Sequence, residues 1–455
     1  MKASKTKKKK NDKRRFWPRR VAPADKLLFD TVSILDATQW WSEDRLSDLQ
    51  HQHFAALLNY AKDNTDHYSE ALKGTDTFTP ERMTEDIVKS LPVADKQVIQ
   101  TEGGRFIARD HDPRYGKLIE FKTSGSVAKP VTITWNQYAS TFTRAKKFRY
   151  HQWHGSDPRR KMSTLQATPR TAKRAFKETR TRDWYPLMPG GECVGQSALL
   201  PTTKQMEWLQ RENPSYLLTI PTIASELVRY AQDNSISLSR LERIDVYGEM
   251  MDEDLPPRAK DVFNCTVSDK YSSREMGEMA TRCPVSGLYH IQSETIYLEV
   301  RKADGTLAGE GEIGQIIVTN LQNTAMPIIR YAIEDYAEVG PKCPCGRGLP
   351  TLRRIMGRSR NMMRLENGEH VWLPLSSRNV FDVAPVRQIQ LVQTAINEVK
   401  VLAVPVQTLS DDDREALCEE LWTHFPREVR LTVECVPDIP RSEGGKFEYF
   451  RSEIE

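Results

Sequence analysis

Residues 118–135 read LIEFKTSGSVAKPVTITW, a pattern that predicts two strands joined by a turn-rich loop. A loop rich in Ser, Thr and Gly exposes backbone N–H groups and hydroxyls that could wrap phosphate oxygens. Lys129 adds a compact positive charge for the same purpose. The spacing is not that of a Walker loop. On composition alone, a plain polar hairpin is therefore the alternative.

The charge of the chain is concentrated at its amino-terminal end. The 455 residues carry a net charge of +4, yet residues 1–20 hold eleven Lys and Arg against one acid, which gives +10 there and −6 elsewhere. A nucleic-acid-binding body would itself be basic, so this class is excluded for the rest of the chain. We expect residues 1–25 to form a disordered basic tail, which could touch an acidic partner.

Hydropathy and cysteine content indicate the compartment. No stretch approaches the roughly 18 consecutive apolar residues that a membrane-spanning helix requires, so no membrane span is expected. Seven cysteines, an odd number spread over a long chain, do not form the pattern of a secreted disulfide framework. We therefore expect a cytoplasmic protein.

The secondary-structure pattern predicts two domains of unequal size. A β-rich stretch covers residues 240–340, whereas the basic residues 155–182 are interpreted as a surface excursion. After Gly357, the segments RQIQLVQ, EVKVLAVPV, DDDREALCEELWTHF and EVRLTVECV predict strand, strand, helix and strand. The predicted fold class is α/β, with a large mixed α/β domain over 26–357 and a small α+β domain over 358–455.

Three further stretches carry residues suited to nucleotide chemistry. Carboxylates placed just past strand ends are common in the ligand sites of α/β sheets, and a carboxylate can bind Mg²⁺ or a ribose diol. Each stretch alone also fits an ordinary solvated surface or a frayed chain end. They are VYGE (246–249) with DKYSSRE (269–275), RYAIED (330–335) with MGRSRN (356–361), and PRSEGGK (440–446).

Together and in this order, these motifs resemble those of the adenylate-forming superfamily of acyl-CoA synthetases and related ligases. The similarity is greatest to the phenylacetate–CoA-ligase-like branch, which includes ligases from capsular-polysaccharide loci. It covers nearly the whole chain from about residue 45. The resemblance implies an adenylation domain followed by a mobile lid that begins after Arg358.

The resemblance also implies the roles of individual residues. The loop TSGSVAKP is similar to the family's phosphate loop, and PRSEGGK is similar to its carboxyl-terminal lysine motif, so Lys446 would be the adenylation lysine. The implied catalytic residues are Lys446, Lys129 and Glu275, and Glu275 would also bind Mg²⁺. The implied ATP- or AMP-binding residues are Thr123, Ser124, Gly125, Ser126, Lys129, Gly248, Glu249, Tyr271, Ser272, Ser273, Asp335 and Arg358.

Several positions depart from the family pattern. Val127 and Ala128 replace Thr-Gly in the loop, and Arg274 stands where a small hydroxyl residue is usual, next to the expected α-phosphate site. Ala332 lacks the family's second arginine, and 360–361 replace the acids of the hinge. These departures leave room for slow or atypical turnover.

Three cysteines and one histidine could form a metal site. Cys283, His290, Cys343 and Cys345 would supply three thiolates and an imidazole, which suit tetrahedral Zn²⁺ in a structural role. Cys-x-Cys is tighter than common zinc spacing, so four reduced, packed side chains are the alternative. Members of the resembled branch carry a similar set. His151 and His154 are interpreted as surface or core histidines.

The resemblance implies an ATP-dependent ligase that activates a carboxylic acid as acyl-AMP and transfers it to a thiol, most simply that of coenzyme A. One alternative is an amine or hydroxyl acceptor in natural-product or surface-polymer assembly. Another is a degenerate nucleotide-binding protein without catalysis. Residues 190–193 and 216–222 are candidates for lining the acid pocket. The acid, the acceptor and the oligomeric state stay open, a homodimer included.

Overall fold

The computed structural model describes residues 25–122, 131–166, 177–182, 184–188, 190–358, 362–366, 370–371, 377–440, 447 and 449–454. The helices α1 to α11 in these ranges are Lys26–Thr38, Glu43–Asn64, Asp66–Ala71, Glu85–Ser90, Lys96–Glu102, Gln137–Trp153, Thr202–Glu212, Pro221–Asp233, Leu255–Phe263, Ser377–Val383 and Asp411–Leu421. None of the helices in the described ranges has the length and apolar character needed to cross a membrane.

The strands β1 to β20 follow in the same chain order. They are Leu118–Lys122, Thr132–Asn136, Met162–Gln166, Thr179–Arg182, Glu192–Ser197, Tyr216–Thr219, Arg243–Tyr247, Thr266–Ser273, Gly277–Arg282, Tyr289–Ile291, Ile296–Arg301, Ile313–Asn320, Tyr331–Val339, Thr351–Arg358, Met363–Arg364, His370–Val371, Val386–Ala395, Glu398–Pro405, Arg430–Cys435 and Phe450–Ser452.

Twelve of these strands form one mixed sheet, in the order β11-β12-β13-β14-β10-β9-β8-β7-β6-β3-β5-β4. The sheet contains five adjacent strands that run parallel to one another: β5, β3, β6, β7 and β8. Beyond β8 the ladder is antiparallel as far as β11, and β4 adds antiparallel at the other edge. The prediction of a large mixed α/β unit is confirmed.

Helix packing keeps the parallel strands buried. The helix α8 begins at Pro221, where the missing N–H of proline costs no intrahelical hydrogen bond. Its buried side chains recur at the three- and four-residue steps of a helix that packs on a sheet. They include Ile223, Ala224, Leu227, Val228 and Ala231. Burying each of the larger ones contributes roughly 1.5–3 kcal/mol.

The prediction that residues 155–182 form a surface excursion is wrong for β3. β3 lies inside the large sheet between β5 and β6, and Ser163 and Leu165 are fully buried. The basic residues before the strand lie outside the sheet and concealed its short apolar pattern. β4 is an exposed edge strand, and residues 167–176 lie outside the described residues.

The carboxyl-terminal residues form a separate four-stranded sheet in the order β19-β18-β17-β20. The predicted strand–strand–helix–strand run is confirmed as β17, β18, α11 and β19. α11 begins in a capping box in which Ser410 and Asp413 satisfy each other's backbone N–H groups. The last strand of the large sheet, β14, ends at Arg358. The domain limits at 357 and 358 stay a prediction.

Candidate functional site

The predicted phosphate loop and the terminal lysine lie outside the described residues. Thr123, Ser124, Gly125, Ser126 and Lys129 fall there, and so do Lys446 and the hinge residues 359–361. Their roles therefore stay predictions. The strands on both sides of the loop are described, and they pair antiparallel with Lys122 opposite Thr132. The two ends of the loop thus start from neighbouring positions, as the sequence pattern predicts.

The turn between β8 and β9 lies against the base of this loop. The Arg274 guanidinium donates a hydrogen bond to the carbonyl oxygen of Lys122, the last residue before the loop. Gly277 has a φ of +74°, and a Cβ at this position would lie 2.8 Å from Cη2 of Trp135. This close approach fits glycine alone. It places the turn that carries Glu275 beside the strand that leaves the loop.

The two serines of the same motif shape this turn. Ser273 Oγ accepts a hydrogen bond of 3.0 Å from the backbone N–H of Met276, which closes the turn around Glu275. Ser272 is half-buried on β8, opposite Glu278 on β9. A β-bulge between Tyr271 and Ser272 shifts the register there. Bulges of this kind change the direction in which the following side chains point.

Tyr271 and Asp335 meet across the sheet, as the motif comparison predicts for two groups on one nucleotide. The Tyr271 hydroxyl donates a 2.7 Å hydrogen bond to Oδ2 of Asp335. Burial raises the pKa of Tyr271 well above its usual value, and the Asp335 charge raises it further. The phenol is therefore a neutral hydrogen-bond donor to the Asp335 side chain. Arg358 lies directly opposite Asp335 on the neighbouring strand.

Glu275 and two acids of β13 act on the same side chain, Tyr331. Burial raises the pKa of Tyr331, and the negative charges of Glu275 and Glu334 raise it further, with a smaller contribution from Asp335. Glu334 is exposed, whereas Glu275 and Asp335 are half-buried, and carboxylate oxygens are the donors that Mg²⁺ prefers. The strand itself is held at its start by Arg330, which forms a buried ion pair with Glu299 at 3.0 Å.

Glu249 connects the large unit to the end of the chain. Its Oε2 accepts hydrogen bonds from the backbone N–H and the hydroxyl of Thr222, at 3.1 and 2.8 Å. Its Oε1 accepts a 2.8 Å hydrogen bond from the backbone N–H of Phe447. Gly248, with a φ of +82°, turns the chain so that Glu249 faces both partners. Phe447 directly follows Lys446 in the sequence.

The four predicted metal ligands lie together. The donor atoms of Cys283, His290, Cys343 and Cys345 are all within 4.8 Å of one another. The Cys283 and Cys343 sulfurs are 3.8 Å apart, the separation that about 2.3 Å Zn–S bonds give in a tetrahedron. His290 Nδ1 contacts the carbonyl of Leu349 at 3.1 Å, and its Nε2 faces Cys345 at 3.2 Å.

This arrangement fits a structural zinc ion. If Nδ1–H donates to the Leu349 carbonyl, Nε2 keeps its lone pair for the metal, which is the usual outer-shell pattern of a ligating histidine. Three of the four residues are buried, and none of the cysteines forms a disulfide in the described chain. A closed set of three sulfurs and one nitrogen leaves no open position for catalysis.

Sequence reasoning missed a group of cations on the opposite face of β8. Lys270, directly before Tyr271, points toward α6, where its ammonium lies 5.0 Å from the ring centre of Tyr150. Lys147 of α6 lies close enough to Lys270 that the two charges affect each other. His151 is a buried core residue, which is one of the two interpretations given above. The basic stretch 144–149 gave no indication that several of its side chains are buried.

Comparisons with known proteins agree with the motifs. Residues 368–453 match the family model "CapK C-terminal domain". The chain is 25% identical over 419 residues to protein CapK of Staphylococcus aureus, covering 88% of each chain. It is 24% identical over 267 residues to phenylacetate-coenzyme A ligase of Escherichia coli K12, covering 53% of this chain and 59% of that protein.

Two solved structures show the same fold. A 2-hydroxyisobutyryl-CoA ligase in the postadenylation state matches with a TM-score of 0.68 at 18% identity, covering 90% of this chain and 88% of that chain. The anthranilate CoA ligase AuaEII matches with a TM-score of 0.53 at 14% identity, covering 72% and 65%. The resemblance to the adenylate-forming superfamily, in the branch that holds CapK, is confirmed.

The contact between Gly277 and Trp135 predicts a specific loss of stability. Gly277→Ala should lower the free energy of unfolding by about 2–4 kcal/mol, because it adds overpacking to an unfavourable positive φ. Gly74→Ala is the matched control, since Gly74 has a φ of +79° but no atom within 4 Å of an added Cβ. Urea unfolding of both variants measures the difference. Equal losses would contradict the proposed contact.

Proposed function

From its similarity to CapK and the adenylate-forming ligases, we propose that this protein activates a carboxylic acid with ATP. The acid oxygen would attack the α-phosphorus, forming an acyl adenylate and releasing pyrophosphate. The observation that carries this proposal is the hydrogen bond between Tyr271 and Asp335, next to Glu275 and at the base of a phosphate-loop motif. We propose that Tyr271 and Asp335 bind the nucleoside and that Glu275, whose charge acts on Tyr271, holds the metal ion.

Each of these residues has a physical task in the proposed reaction. Asp335 would accept hydrogen bonds from the ribose hydroxyls, and Tyr271 would lie along the adenine. Glu275 would hold Mg²⁺, which when bound neutralises charge on the phosphate oxygens. Arg274 keeps the entry of the loop in place through its hydrogen bond to Lys122. Catalysis of this kind rests on placement and charge neutralisation rather than on covalent help from the protein.

The end of the chain supports the role proposed for Lys446. The backbone N–H of Phe447 bonds to Glu249, at the carboxyl end of β7. Lys446 directly precedes Phe447 in the sequence, and we propose that its side chain acts at this strand end. A lysine there would stabilise negative charge on the attacking carboxylate. A lid that then rotates would expose the adenylate to an acceptor.

The acceptor that we propose is the thiol of coenzyme A. Phenylacetate-coenzyme A ligase and the proteins of both solved structures are coenzyme A ligases by name. An amine or hydroxyl acceptor is the second candidate, because none of the described residues identifies a coenzyme A site. Trapping the adenylate with coenzyme A and with simple amines distinguishes the two.

We expect Lys446→Ala to abolish carboxylate-dependent exchange of pyrophosphate into ATP. Nucleotide binding should remain within about twofold, because the large unit supplies the residues that hold ATP. Lys400→Ala is the matched control, since Lys400 is an exposed lid lysine paired with Glu434. Exchange assays over a panel of carboxylic acids, with nucleotide binding measured by calorimetry, test this assignment. Unchanged exchange in Lys446→Ala would reject it.

We also propose that the Cys283–His290–Cys343–Cys345 cluster holds a structural zinc ion. Purified protein should contain about one equivalent of zinc, and Cys343→Ser should lose it and melt at a lower temperature. Cys435→Ser, at an exposed position in β19, should change neither value. Elemental analysis and thermal unfolding measure both. Well under one equivalent in protein purified without added zinc would argue against the site.

A further inference from the structure

A group of side-chain nitrogen atoms without a carboxylate partner in the described ranges lies between α6 and the large sheet. Its members are the ammonium groups of Lys147 and Lys270 and the Nε2 atom of His151. Within the described chain, neither lysine ammonium has a carboxylate at ion-pair distance. The neighbouring acid Asp245 is already bound by Arg243 and by the Tyr150 hydroxyl. Positive charge is therefore left over at this position.

His151 adds a buried ring nitrogen to this cluster. Ser156 Oγ accepts a 2.7 Å hydrogen bond from Arg243 and lies 3.2 Å from His151 Nδ1. In the tautomer in which Ser156 donates to Nδ1, the imidazole proton lies on Nε2 and can be donated to a ligand. Burial lowers the pKa of His151 well below its usual value, so the ring is neutral. Nε2 is buried without a partner among the described residues.

Buried aromatic side chains pack against the cluster. The His151 ring contacts Trp184 and Tyr185, with ring centres 4.9 and 5.1 Å apart. Phe148 and Cys193 pack into the same aromatic group. Such apolar walls with a few convergent polar groups are typical of ligand sites. Cys193 belongs to one of the segments that the sequence indicated for the acid pocket.

The cluster also lies next to the proposed reaction centre. Lys270 directly precedes Tyr271, so the two side chains point to opposite faces of β8. Tyr271 faces Asp335, whereas Lys270 faces α6. Glu275 lies in the turn that follows the last residue of β8, Ser273, so a substrate whose reacting carboxylate lies near Glu275 would pass the end of this strand to reach Lys270 on the other face. Its far end would then meet the three donors.

We propose that Lys147, Lys270 and the Nε2–H of His151 bind a second anionic group of the acid substrate. This inference rests on the proposed adenylation. It specifies the substrate class as a carboxylic acid with a distal carboxylate, phosphate or sulfate and an apolar or aromatic body. An anion there would satisfy three buried or half-buried donors that otherwise cost free energy. Burial and the Lys270 charge lower the pKa of Lys147, and a bound anion would offset the effect of that charge.

The test compares acids that differ only in a distal carboxylate. The pairs are butanoate and succinate, pentanoate and glutarate, hexanoate and adipate, and benzoate and terephthalate, each assayed by exchange of pyrophosphate into ATP. In at least one pair, the dicarboxylate should have a kcat/KM at least tenfold higher. Lys147→Met and Lys270→Met should remove this preference, with about tenfold or greater loss for the dicarboxylate and little change for its partner.

Lys204→Met is the matched control, because Lys204 is exposed on α7 and paired with Glu207 at 2.8 Å. Methionine keeps the apolar stem of lysine, and thermal unfolding verifies that each variant folds. Lys270 is half-buried, and its substitution tests the site independently of Lys147. Preference for the monocarboxylate in every pair would overturn the inference. A dicarboxylate preference that survives both substitutions would overturn it as well.

The inference and the proposed function can fail separately. If none of the acids supports exchange of pyrophosphate into ATP, the proposed adenylation reaction is contradicted. Calorimetric titration of the same acids into the ATP-bound chain then decides the inference alone. Dicarboxylate binding that Lys147→Met weakens at least tenfold would support the anion site, whereas equal binding of both members of every pair would contradict it.

Discussion

The structure depends on the attachment of α6 to the large sheet through buried charges. Arg149 bonds to Glu294 at 2.6 Å, with both side chains almost completely buried, and also reaches the carbonyl of Leu35 in α1. Lys146 donates to the Glu278 carbonyl at 2.7 Å. A buried ion pair stabilises a fold only when its remaining hydrogen bonds are also made. Here they are largely made, so the helix has one register on the sheet.

That fixed register explains why the neighbouring charges are informative. In a loosely packed helix, a lysine would rotate toward water and its position would have little meaning. Between Lys146 and Arg149, however, Lys147 lies close enough to Lys270 of β8 for the two charges to interact. The two positive charges repel each other, and burial lowers the pKa of Lys147. Such an arrangement of positive charges lowers the stability of the fold. Arrangements of this kind are common at sites where a bound ligand supplies the opposite charge.

The sequence predicted the parts of this protein that depend on local pattern. The motifs around Tyr271 and Asp335 have recognisable local sequences, so their meeting could be predicted from the family resemblance, although three strands separate β8 from β13 in the sheet. The cysteine–histidine cluster could be predicted for a similar reason, because one short stretch supplies two ligands. β3 could not be predicted, since its burial depends on β5 and β6, which are distant in the sequence. The buried cations of α6 were equally hidden, because Lys and Arg are usually exposed.

The small carboxyl-terminal unit contacts the large one through polar interactions that can break and form again. Arg229 of α8 donates to the Arg387 carbonyl at 2.7 Å and lies over the ring of Phe381. Glu249 binds the Phe447 N–H while it also caps the start of α8 through Thr222. Polar contacts between units of one chain favour relative motion. Because one carboxylate joins the start of α8 to the residue after Lys446, releasing Phe447 would leave the large unit intact. Movement of the proposed lid would therefore release a hydrogen bond to Glu249, one of the residues predicted to bind the nucleotide.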